Sequence, residues 1–279
     1  MAFAIKRFTQ KNKPMPRMHS SQQHAGDLLQ AEKLHLQGRL QESWALYKKV
    51  LADGDQFAAL NGMGLIAAQT KRFDVAIDLF RNAIKVDKTN PRGFNNLANA
   101  LVSKGDREAA LGYLDEALIL DEAYVDALKN RGLIRAELKQ FSQALDDFAR
   151  VLQLQPDYWR AHIYKANVLI AMGELDSALK SYEQVLANHP DSAALSNNLG
   201  AILCSLRHFD QALPHIDKAL TINPRYAEAY NNRAVVMIGL GRHGDALDAY
   251  QHALAIKPDY SDALHGKASL EKTFKSIRV

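Results

Sequence analysis

Cysteine is almost missing from this 279-residue sequence, and the single thiol, Cys204, excludes an intramolecular disulfide and fits a reducing compartment. No stretch holds eighteen consecutive apolar residues, so none reads as a membrane-spanning helix. Glycine never gathers into a phosphate-cradling loop after a strand-like run. The ten histidines include His208 with His215 and His243 with His252, but these fall on inter-helix turns and second helices with no carboxylate or thiolate cluster at metal-ligand spacing. Neither a metal nor another cofactor is expected, and Cys204, with no flanking base, reads as a packed thiol and not a nucleophile.

Acidic residues are absent from the first 26 positions, where Lys6, Arg7, Lys11, Lys13 and Arg17 carry five positive charges. Subtracting those five from the 35 Lys and Arg leaves 30 against 31 Asp and Glu, so the remainder is close to neutral and the basic pI belongs to the leader. A body without a basic surplus argues against nucleic acid as a partner. Residues 1–23 lack the apolar core of a secretory signal and are expected to form a disordered basic leader, which leaves the chain cytoplasmic.

A fixed period is what the sequence has in abundance. Pro156, Pro190, Pro224 and Pro258 stand 34 residues apart, and seven windows follow, at 24–56, 57–90, 91–124, 125–158, 159–192, 193–226 and 227–260. Position 8 of each window holds Ala31, Gly64, Ala98, Gly132, Ala166, Gly200 or Ala234. Position 20 holds Ser43, Ala76, Ala110, Ala144, Ala178, Ala212 or Ala246. Small residues at these places let two antiparallel helices approach closely. Bulky residues fill position 24, from Tyr47 and Phe80 to Tyr250, and are read as core knobs between helices. Gly38, Gly105, Gly173 and Gly241 end the first helix in alternate windows, where a left-handed residue is needed.

Small residues at 8 and 20, an aromatic or aliphatic at 24 and proline at 32 together resemble the tetratricopeptide repeat family over about 24–260. The resemblance implies an all-α fold, an α-α superhelical solenoid of seven helix-turn-helix repeats, with 261–279 as a capping helix and tail. It also implies that the first helix of each pair lines a concave groove. Pro214 falls early in a second helix, where it either occupies a slot that needs no N–H or bends the helix.

Mapping the family's groove positions onto this chain picks out Asn61, Asn95, Asn96, Asn99, Asn130, Asn167, Asn197, Asn198, Asn231 and Asn232, with Tyr164 interrupting the series at position 6. Asparagine is a poor helix former, so so many in mid-helix need a reason, and a carboxamide can both donate to and accept from a peptide main chain. The series is similar to the asparagine ladder in the repeat arms of O-linked N-acetylglucosamine transferases. The 19 residues after Tyr260 are too few for a nucleotide-sugar site, so the resemblance implies the arm without the enzyme. A chaperone-type carboxylate clamp is not expected: the nearest set, Asn95, Asn99, Asn130, Arg160 and Tyr164, lacks two of its three cations.

The sequence therefore points to a non-enzymatic scaffold whose partner is another protein held by an extended segment. The alternative is a recognition arm for a separately encoded transferase. Self-association stays open as a further use of the repeats.

Overall fold

The computed structural model describes residues 18–277, which form fifteen helices and, among the described residues, no strand. They are α1 (Met18–Leu36), α2 (Leu40–Asp53), α3 (Gln56–Gln69), α4 (Phe73–Val86), α5 (Pro91–Lys104), α6 (Arg107–Leu120), α7 (Val125–Glu137) and α8 (Phe141–Leu154). Then follow α9 (Trp159–Met172), α10 (Leu175–Asn188), α11 (Ala193–Ser205), α12 (Phe209–Ile222), α13 (Ala227–Gly239), α14 (His243–Ile256) and α15 (Ser261–Ile277). Seven helix pairs followed by one unpaired helix is the all-α repeat architecture that the 34-residue period predicts. Helix α1 begins at Met18, so the last residues of the expected disordered leader belong to the first helix. That helix starts just after Pro16, a stronger break than the weak helix formers behind it. The rest of the leader lies outside the described residues.

Local chemistry starts and stops each helix. Asp55, Asn90, Asp106 and Ser192 cap α3, α5, α6 and α11 by accepting a backbone N–H with their side chains. Position 15 of every window is left-handed, not only where glycine stands. Between Gly38, Gly105, Gly173 and Gly241 the same place is taken by Lys71, Lys139 and Arg207, at φ of 58°, 60° and 63°. Each of these three carries a strain of about 1–2 kcal/mol that glycine would not. The geometry is held by the turn: Lys139 N–H bonds Ala136 O at 3.0 Å and Gln140 N–H bonds Arg135 O at 2.8 Å.

Packing follows the small and large positions. All six alanines at position 20, and Ser43, are fully buried. Ser43 is accommodated because its hydroxyl donates to Ala31 O at 2.7 Å. Glycine at position 8 faces the knob at position 24: a Cβ would lie 2.5 Å from Phe80 at Gly64, 2.8 Å from Phe148 at Gly132 and 2.5 Å from Ile216 at Gly200. Pro214 turns out to lie inside α12, exposed, at the cost of the N–H bond its place would make to Asp210 O.

The chain divides into two compact units, 1–127 and 128–279. In the first, α1 packs on α2, α2 on α3, and so on through α6, and the first helices also touch one another, α1 against α3 and α3 against α5. The second unit stacks α8 to α15 in the same order, with α11 against α13. First helices that touch past their intervening partners form the layer on which the site is built.

Candidate functional site

Position 5 of one first helix meets position 6 of the next, a step of 35 residues. In the first unit Asn96 Nδ2 donates to Asn61 Oδ1 at 2.8 Å, and in the second Asn232 Nδ2 donates to Asn197 Oδ1 at 2.9 Å. These carboxamides are thus tied to each other and are not a free row of identical groups. Burial separates them further. Asn95, Asn197 and Asn231 are buried. Asn61, Asn96, Asn130, Asn198, Asn232 and Tyr164 are half-buried, and Asn99 and Asn167 are exposed. The inner asparagine fixes the amide end of the outer one, which leaves the outer carbonyl oxygen to accept from something else.

Position 6 also rests on the knob of the preceding repeat. Tyr164 packs its ring on Phe148, with centroids 5.6 Å apart. The hydroxyl of Tyr182 donates to Asn167 Oδ1 at 2.7 Å and accepts from Asn198 Nδ2 at 3.4 Å. Burial pushes this phenol up, partly opposed by the bond from Asn198. Tyr164, Asn167 and Asn198 therefore contribute to repeat packing as well as to the exposed face.

A cleft of about 660 Å³ opens in the first unit. It is lined by Asn61, Asn95 and Asn96, by Tyr47, Phe57, Leu36, Leu65 and Tyr124, and by the charged Arg92, Glu32, Asp55 and Asp126. Leu36 is 90% exposed and Leu65 39%, so an apolar side chain entering here would remove both from water. Burial, then the nearby Asp126 carboxylate, pushes the Tyr124 phenol up. A cleft lined by carboxamides, aromatics, two leucines and charges of both signs can hold main chain and one apolar side chain together.

Of the expected groove residues, the cleft brings together Asn61, Asn95 and Asn96. Arg92, Tyr124 and Asp126 were missed in the sequence. Arg92 and Asp126 occupy position 2 of their windows and Tyr124 position 34, and the signal was the charged residue that recurs at position 2, as in Arg92, Asp126, Arg160 and Glu228. Elsewhere, burial pushes the half-buried Cys204 thiol up, away from the thiolate. Among the described residues no cluster of three or more His, Cys, Asp or Glu could hold a metal ion, and no helix is long and apolar enough to cross a membrane.

Tetratricopeptide repeat profiles match residues 37–91, 95–159, 135–202 and 191–259. Among curated proteins, a UDP-N-acetylglucosamine–peptide N-acetylglucosaminyltransferase of Giardia intestinalis is 28% identical over 105 residues, 38% of this chain and 7% of that protein. A heat shock protein sti1 homolog of Schizosaccharomyces pombe is 33% identical over 79 residues, 28% of this chain and 13% of that protein. These matches span only a small part of either relative. Among solved structures, YrrB, described as a TPR protein with an unusual peptide-binding site, aligns with a TM-score of 0.57 at 25% identity, covering 68% of this chain and 97% of its own. A tetratricopeptide repeat protein from Parabacteroides merdae aligns with a TM-score of 0.65 at 18% identity over 90% of this chain and 100% of its own, a likeness of fold.

Proposed function

This chain belongs to the tetratricopeptide repeat family, and from that premise we propose that it is a non-enzymatic, cytoplasmic scaffold that binds an extended segment of a partner protein along its first helices. The observation that carries the proposal is the first-unit cleft, where Asn96, its amide held by Asn61, lines the same space as Leu36, Leu65 and Tyr124. An extended peptide offers a main-chain N–H every second residue on one side, which suits a fixed carbonyl acceptor, while an alternate side chain fits the apolar wall. The peptide-binding description of the neighbour YrrB supports the same reading. A second reading, a recognition arm working with a separate transferase, draws on the likeness to the Giardia glycosyltransferase and uses the same cleft.

Selection from a display library of random nine-residue peptides against the whole chain tests this. We expect enriched peptides with an apolar anchor and little other sequence preference. Tyr124→Ala should weaken the best of them about 5- to 30-fold, the effect of removing an aromatic contact worth roughly 1–2 kcal/mol, with the helical signal retained. No enrichment, or peptides bound as tightly by Tyr124→Ala as by the parent, would count against the proposal.

A further inference from the structure

Helix α1 carries leucine where later repeats carry asparagine. Position 6 of the third to seventh windows holds Asn96, Asn130, Tyr164, Asn198 or Asn232, all half-buried, whereas α1 has Leu29 there, 69% exposed. Glu32 and Leu36 follow three and seven residues later, so the three share one helical face, and the last two line the first-unit cleft together with Leu65. Leucines this open, grouped beside a cleft, mark a contact surface. Its charge is one-sided: Glu32, Asp55 and Asp126 line the cleft against Arg92 as the one Lys or Arg among its lining residues.

The chain itself holds a segment that matches in both respects. Residues 1–17, outside the described residues, carry Lys6, Arg7, Lys11, Lys13 and Arg17 and no acid, with Phe3, Ile5 and Phe8 set among the first of these cations. Alternation along an extended strand puts Phe3, Ile5 and Arg7 on one side and Lys6 with Phe8 on the other, so each side offers apolar groups next to a base. The segment can also reach. It joins α1 at Met18, and the fourteen residues of helix from there to Glu32 measure about 21 Å. Residues 9–17 span about 30 Å when extended, enough to turn back along α1 and bring residues 3–8 past Leu29 to the cleft.

Resting on the reading of this cleft as a peptide site, we propose that residues 3–8 of the chain's own leader occupy it, so that a partner segment must displace them. Phe3, Ile5 and Phe8 cover Leu29, Leu36 and Leu65, and Lys6 and Arg7 are set against Glu32, Asp55 and Asp126. A tethered segment acts at an effective concentration in the millimolar range, so even a weak contact competes with free peptide. Tethering makes the leader a built-in threshold for partner binding.

The test compares the full chain with a full-length Phe3→Ser, Ile5→Ser, Phe8→Ser variant, whose changes lie outside every described helix. A peptide display-selected on the variant should bind the parent about tenfold more weakly than the variant, the effect of a tethered competitor, and this margin should shrink with salt as the charge contacts are screened. In parallel, a photoreactive benzoylphenylalanine placed at position 3 or 8 of the dilute full chain should crosslink within the monomer to α1 and α3, and excess selected peptide should suppress those crosslinks. Equal affinity of parent and variant would overturn this inference and leave the peptide reading standing. No peptide binding by either chain would overturn the peptide reading, and monomer crosslinks scattered beyond α1 and α3 would overturn the docking itself. Covalent dimers in place of monomer crosslinks would put the leader on a second copy of the chain and end the inference as stated.

Discussion

Replacing Arg131 and Arg135 together by methionine is expected to cost about 3–5 kcal/mol of stability, because it strands a buried carboxylate. Asp147 on α8 is 2% exposed and lies between the two arginines of α7. Arg131 Nη2 donates to its Oδ1 at 2.6 Å and Arg135 Nη1 to its Oδ2 at 2.8 Å. Surface ion pairs such as Arg242 with Asp245, both about half exposed, should by contrast contribute next to nothing. Adding Asp147→Leu to the double variant should restore most of the loss, since a fully apolar replacement of a buried ion cluster is often close to neutral. Urea denaturation of the parent, double and triple variants reads this directly. A double variant as stable as the parent would mean that the Asp147 carboxylate reaches water.

The second large effect concerns the knob of the second repeat. Phe80 is 1% exposed against Gly64, and Phe80→Ala should cost about 3–5 kcal/mol, since the glycine facing it offers no side chain to fill the hole. The same contact inverts the sign of a second substitution. In the parent, Gly64→Ala would set a Cβ 2.5 Å from the Phe80 ring and should destabilise by about 1–3 kcal/mol. In the Phe80→Ala background the clash is gone, and the better helix propensity of alanine should make Gly64→Ala stabilising by roughly 1 kcal/mol. A thermal-melting double-mutant cycle without that inversion would mean that the two positions do not face each other.

The pairing of positions 8 and 24 was legible in the sequence because both ends of the contact recur at one period, glycine or alanine against a bulky residue. Helix ends marked by Gly38, Gly105, Gly173 and Gly241 were legible for the same reason. What composition hid was that Lys71, Lys139 and Arg207 adopt the same left-handed turn, because tertiary packing overrides their preference there. The asparagines could be found but not sorted. Their bonds join residues 35 apart in a chain whose period is 34, so partners fall in different columns of the windows, and only the packed structure shows Asn61 holding Asn96 and Asn197 holding Asn232. Tyr124 and Asp126 escaped notice because positions 34 and 2 fall on either side of a window boundary yet line one cleft.

Where a bound peptide lies is the most direct test of the scaffold reading. Titrating a display-selected peptide into labelled protein, with backbone and carboxamide amide resonances followed by NMR, should shift the side-chain amide of Asn96 and the backbone of α3 and α5 around Asn61, Leu65 and Arg92. Asp78 and Arg81, on the outward side of α4, should not move. Shifts confined to the second helices, with Asn96 unchanged at saturation, would contradict a binding face built from the first helices.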